Sequence, residues 1–336
     1  MPVLRDEEFL YASGRIKVLE NRLLSRSVIE RVLEAENTEA VLRVLSETDY
    51  APEFEELESV YDFEKALENS MRKTLNTVKE SLKDHRIVRF FTLKYDYHNL
   101  KVIAKSRILG VDAPENLSNL GDVPVDELIK LGKGEGDAAV PETMKAAFEG
   151  AMRLFEETRD PQQIDLFLDR ALYEELVELT KKIGHEFLKD YLAASVDLIN
   201  IKTMVRLKYM ESDFRTLEKS LLPGGTIEPA FFEKYFQEPL QSLVEALSSS
   251  RYSGVVKEGL ENWISTGSPA AYEKLSDDFL LGILKKGIYK PFGLETVAGY
   301  IGAKENEIKI LRVLMVGKIN GISEDVIRER LRDVYV

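Results

Sequence analysis

No cysteine occurs in the 336 residues, which excludes disulfide frameworks, Cys-ligated zinc, iron–sulfur clusters and thiol nucleophiles together. Histidine is nearly as scarce: His85, His98 and His185 are the three. No two of them stand at i and i+4, and His185-Glu186 lacks the second histidine of a zinc-protease helix. They are expected to be structural or surface residues, and no metal, cofactor or catalytic set is expected. Positive charge is in deficit, 46 Lys+Arg against 59 Asp+Glu for a net charge of −13. That balance disfavours nucleic acid or an anionic lipid face as the main partner. Long apolar runs are missing as well. The purest, Phe279-Leu280-Leu281-Gly282-Ile283-Leu284, is far short of the ~20 residues a membrane helix needs. The opening Met1-Pro2-Val3-Leu4-Arg5-Asp6-Glu7-Glu8 carries acid where a signal peptide carries base. The sequence predicts a soluble chain whose attachment to any membrane runs through another protein, without insertion into lipid.

Nucleotide motifs are lacking too. Gly132-Lys133-Gly134-Glu135-Gly136 has glycines and a lysine but not the order of a phosphate loop, and no strand pattern precedes it. It reads as a surface loop. Leu222-Pro223-Gly224-Gly225-Thr226 reads as a turn into a helix. No serine stands in a spacing that singles out a Ser-His-Asp set.

What is present is repetition. The eleven prolines leave two proline-free windows, 53–113 and 162–222, each of 61 residues, where long helices can form. In the first, Phe63, Leu67, Met71, Leu75, Val78 and Leu82 step by three or four, the period of one helix face. Shifted by 105, the same positions hold Leu168, Leu172, Leu176, Thr180, Ile183 and Phe187. A further 104 reaches Tyr272-Glu273-Lys274-Leu275, with Phe279 and Ile283 continuing the face less cleanly. A second landmark follows: Asp96-Tyr97-His98-Asn99-Leu100-Lys101 parallels Asp197-Leu198-Ile199-Asn200-Ile201-Lys202, while the third copy keeps Glu307-Ile308-Lys309 and loses the aspartate. A third landmark links copies one and three, where Leu23-Leu24 and Leu221-Leu222 open helical stretches that end at Tyr50 and Tyr252.

A period near 105 is longer than the common short helical repeats and corresponds to a whole small domain. With no sustained alternation of apolar and polar residues, the chain is predicted to be all-α, with three similar helical-bundle domains at 1–115, 116–219 and 220–336. Ser27-x-x-Glu30 reads as a capping box, and Ser323 precedes the acids Glu324 and Asp325 of a helix start. Lys65, Arg170 and Lys274 are expected at equivalent places, one per domain, as are Lys101, Lys202 and Lys309. They would anchor helix ends or ion pairs or, alternatively, line a central cavity. An acid/base enzyme using Asp96 or Asp197 would need a deep polar pocket around one of them, whereas a motif present twice with a degraded third copy fits a folding role better.

The residues also carry a resemblance. Tyr11-Ala12-Ser13-Gly14-Arg15-Ile16-Lys17-Val18-Leu19-Glu20-Asn21-Arg22-Leu23-Leu24, then Thr48-Asp49-Tyr50, Lys94-Tyr95 through Lys101, Lys304-Glu305-Asn306-Glu307-Ile308-Lys309-Ile310-Leu311-Arg312, Gly317-Lys318 and Gly321 to Arg328 resemble, in order, the signatures of the C subunit of V-type (A-type) ATP synthases. That family is related to the d subunit of the eukaryotic vacuolar ATPase (V-ATPase). The resemblance implies three helical domains in a pseudo-threefold funnel, a non-catalytic rotor part without a cofactor. It implies seating on the membrane proteolipid ring at the cytoplasmic side, with central-stalk subunits of D and F type docked in the funnel. Torque for ATP-coupled proton or sodium transport would pass through it. A general helical scaffold of solenoid type is the alternative reading.

Overall fold

The computed structural model describes residues 4–111 and 114–336. Among these residues there is no β-strand, so the fold is all-α. In chain order the helices are α1 (Leu10–Glu20), α2 (Arg26–Leu33), α3 (Thr38–Leu45), α4 (Ala51–Glu55), α5 (Phe63–Glu80), α6 (Arg86–Leu109), α7 (Val125–Lys133), α8 (Glu142–Thr158) and α9 (Gln162–Ile183). They continue with α10 (Glu186–Tyr209), α11 (Phe214–Ser220), α12 (Pro229–Gln237), α13 (Leu240–Leu247), α14 (Glu261–Thr266), α15 (Ala270–Leu284), α16 (Leu294–Ile319) and α17 (Glu324–Arg330). A π-helical turn at Val255–Leu260 leads into α14.

The two proline-free windows each hold a pair of long helices. In the first, α5 stops at Ser81 and α6 begins at Arg86; in the second, Gly184 takes a left-handed φ of 72° and separates α9 from α10. The face of α5 read from periodicity is the buried one, with Leu67, Met71 and Val78 at most 1% exposed. On α9, Leu168 and Ile183 are fully buried, and Thr180, the polar exception in the pattern, is buried beside Leu179.

The chain divides into two compact units. One spans residues 86–233. Here α6 packs along α9, α9 against α8 and α10, and α7 against α6. Its core is made by Ile87, Phe91, Leu93 and Leu100 of α6 with Leu168, Ile183, Leu188 and Ile201. The other unit spans residues 4–85 and 234–336. Its centre is α16, of which 19 of 26 residues are buried. Burial on that scale makes α16 the core helix of this unit, and α1, α5, α15 and α17 all pack on it.

One expectation shifts in register. The cap of α2 is Ser25, whose Oγ accepts the N–H of Val28, rather than Ser27, which lies inside the first turn. Ser25 has the extended backbone a cap requires, so the chain enters the helix two residues early. α17 begins at Glu324, after Ser323, as its first-turn acids predict.

Candidate functional site

Asp96 and Asn99 lie one turn apart on the buried face of α6. Both are wholly buried, so every polar atom needs a partner. The partners are main-chain groups of the segment that follows α6. Asp96 Oδ1 accepts the N–H of Val123 at 3.0 Å and Oδ2 that of Asp122 at 3.2 Å. Asn99 pairs with Ser118 in both directions: its Nδ2 donates to the Ser118 carbonyl and its Oδ1 accepts the Ser118 N–H, each at 2.8 Å. The side chains thereby clasp a loop that has no secondary structure to satisfy it.

The second copy of the motif builds the same clasp. On α10, Asp197 Oδ1 accepts the N–H groups of Thr226 at 2.8 Å and Ile227 at 3.0 Å, and Oδ2 accepts Thr226 Oγ1 at 2.5 Å. Asn200 pairs with Leu222 both ways, at 3.0 and 2.9 Å. Each held loop passes its aspartate with a glycine. A Cβ built on Gly121 would collide with the Asp96 carboxylate, and one on Gly225 with that of Asp197. The turn read at Leu222–Thr226 is therefore the held segment of this clasp, and glycine is there because the acid approaches the backbone.

The third copy changes the residues and keeps the contact. With Lys309 aligned to Lys101 and Lys202, Glu307 stands at the asparagine place and Lys304 at the aspartate place. Glu307 Oε1 accepts the N–H of Leu24, as Asn99 accepts Ser118 and Asn200 accepts Leu222. Its Oε2 receives the Tyr50 hydroxyl at 2.9 Å and Lys304 Nζ at 2.7 Å. Lys304 also donates to the Tyr50 oxygen at 3.0 Å and sits 4.1 Å from the centre of its ring. All three side chains are buried. Burial, with Glu307 beside it, pushes the Tyr50 hydroxyl well above its ordinary value, so it stays protonated.

Burial pushes Asp96 up to about 6, with the two backbone N–H groups and Arg89 pulling the other way. Its folded value exceeds the unfolded one, so the native chain binds the extra proton between pH ~4 and 6. Stability contributed at this site is therefore highest below that window and declines as pH rises through it, by about 3 kcal/mol in full. Chemical denaturation from pH 4 to 6.5 is expected to show that slope in the native sequence and to lose it in Asp96→Asn.

Neither aspartate is placed as a general base. Their oxygens are engaged by main-chain N–H and hydroxyl groups. The clefts beside α6, α7 and α8 are lined by residues such as Arg107, Lys145 and Phe148, or Val102 and Ile129, and by neither Asp96 nor Asp197. The glycine-rich segment 132–136 caps α7, with Gly134 left-handed at its end. His98 Nε2 bonds the Asn116 carbonyl at 2.9 Å, and His185 Nδ1 caps α10.

The six repeat-related cations lie on the paired long helices. Lys65 bonds Asp62 at 2.7 Å, Arg170 bonds Glu174 at 3.2 Å and Lys274 bonds Asp278 at 3.1 Å, each a neighbour in sequence. Lys101 reaches Asp169 of α9 at 2.5 Å, and Lys309 reaches Asp277 of α15 at 2.6 Å; Lys202 is half-buried on α10. One turn beyond Lys309, Arg312 binds Glu64 of α5 with two bonds of 2.7 and 2.8 Å. That pair is exposed, and Arg312→Ala is expected to change the unfolding free energy by less than ~1 kcal/mol in urea denaturation.

Comparison with known proteins bears on this arrangement. Residues 12–330 match the ATP synthase (C/AC39) subunit family. The C subunit of the V-type sodium ATPase of Enterococcus hirae is 27% identical over 328 residues, covering 95% of this chain and 97% of that protein. The C subunit of the A-type ATP synthase of Methanothermobacter thermautotrophicus is 25% identical over 350 residues, covering 98% and 89%. Its counterpart from Methanocaldococcus jannaschii is 24% identical over 342 residues, covering 96% and 86%.

Proposed function

The chain belongs to the ATP synthase (C/AC39) subunit family, a non-catalytic part of a rotary ATPase, and on that premise we propose that it is the socket joining the central stalk to the membrane proteolipid ring. It transmits torque between ATP turnover and proton or sodium movement. Its partners are central-stalk subunits of D and F type on one face and the ring on another, at the cytoplasmic side of the membrane. No described helix is long and apolar enough to cross a bilayer, which supports attachment through the ring's own protein loops.

The observation that carries the reading is the order of the clasps. The long helix of the first sequence repeat holds the opening of the second, at 118–123. That of the second holds the opening of the third, at 222–227. That of the third holds Leu24, in the opening of the first. The long-helix contacts run the same way: α6 lies on α9 and α16 on α5. Such a head-to-tail order supports three similar helical domains, 1–115, 116–219 and 220–336, around a pseudo-threefold axis that can seat a shaft. The repeat-related cations are then equivalent positions, and Lys101 and Arg312 tie one domain's long helix to the next.

Torque asks for contacts that do not slip. Exposed ion pairs contribute only ~0.2–1 kcal/mol each and are screened by salt, so the stalk contact is expected to rest on apolar packing. A pull-down across a salt series tests this: capture of stalk subunits should persist at high salt, while a charged contact to the ring weakens. Binding to bare liposomes with capture of neither partner would refute the socket.

A further inference from the structure

Two of the three clasps hold loops only 19 to 30 residues further along the chain. Short connections keep such partners close at little entropic cost. The third joins Leu24 to Glu307 across 283 residues and has no such help. It is also the clasp whose chemistry differs, with a buried Lys–Glu pair where the other two use aspartate and asparagine. We propose that Lys304, Glu307 and Tyr50 form a charge-dependent latch that fastens the segment from Leu24 to Tyr50 onto α16 and releases while the other two clasps stay shut.

The geometry divides the labour. Glu307 is the hub, holding the Leu24 N–H, the Tyr50 hydroxyl and the Lys304 ammonium at once. Lys304 supplies the balancing charge and lies against the Tyr50 ring. Further polar ties from this segment reach the last helices nearer the surface, where Lys318 bonds the Ala35 carbonyl and Arg328 bonds Glu30. Taking the charge off Glu307 alone would strand a buried ammonium, the costly way to break a buried pair; neutralising both partners leaves the acceptor for Leu24 and no stranded charge. The latch therefore has a signature that ordinary packing lacks: the single variant is worse than the double. The latch consists of contacts inside one chain, so its test does not depend on the proposed stalk and ring partners.

Amide hydrogen exchange on the full chain, read by NMR at Leu24, Ser118 and Leu222, tests it. In Glu307→Gln, Leu24 is expected to exchange about a hundredfold faster, with Ser118 and Leu222 unchanged. In the double variant Lys304→Met with Glu307→Gln, Leu24 is expected to regain at least about tenfold of that protection. Should Glu307→Gln alone fail to fold, Tyr50→Phe removes only the bridging hydroxyl, and Leu24 should exchange about tenfold faster with the other two amides unchanged. An unchanged Leu24 in the variant that folds, equal acceleration at all three amides, or a double variant no better than the single would each overturn the latch.

Discussion

Asp197→Ala should lower the unfolding free energy by about 3 kcal/mol, because it removes at once the buried acceptor of two part-buried N–H groups and a hydroxyl, each bond contributing ~0.5–1.5 kcal/mol. The donors are the amides of Thr226 and Ile227 and the Thr226 side chain, and the acid itself is wholly buried. Asp197→Asn keeps one acceptor oxygen and should cost ~1–2 kcal/mol. Arg170→Ala, on an exposed pair of the same unit, should stay within ~0.5 kcal/mol. Urea denaturation of the three variants gives the ranking. Equal effects from Asp197→Ala and Arg170→Ala would mean that the clasp does not hold the loop.

The second large effect is expected on the repeated helix face. Leu67 of α5 and Leu168 of α9 are both fully buried, and truncating either to alanine should cost about 2–5 kcal/mol, the removed methyl groups plus the cavity they leave. Leu109, at 71% exposure, is the control, and Leu109→Ala should be near neutral. Thermal unfolding separates the two classes. A Leu168→Ala chain as stable as Leu109→Ala would place the face outside the core and remove the basis of the repeat.

That face is legible because a helix writes its burial into the sequence every three or four residues. The two 61-residue windows free of proline locate α5, α6, α9 and α10, because proline breaks a helix interior. The Asp-x-x-Asn motif is visible as a repeat, and its double occurrence already favours folding over catalysis. Its partners are not visible. Asp96 and Asn99 bind main-chain groups of Ser118, Asp122 and Val123, and a backbone N–H has no side-chain signature. Gly121 and Gly225, which in the sequence mark only punctuation or a turn, are the trace such contacts leave.

The third clasp is hidden more deeply. The sequence shows the aspartate lost from copy three, but not that Lys304 takes its place and that Glu307 takes the asparagine's. A lysine and a glutamate three apart, in a helix that buries 19 of its 26 residues, are the trace of this clasp, since buried charges occur in pairs. Leu24, 283 residues away, can be found only once the chain is folded.

Ion movement reads out the coupling between stalk and ring. The rotary complex is reconstituted in vesicles with and without this chain, and ATP hydrolysis and ATP-driven ion uptake are followed together. Without the chain, hydrolysis by the remaining subunits is expected to continue while uptake is lost, and adding the chain is expected to restore uptake. Uptake that proceeds at the full rate without the chain would contradict coupling through it.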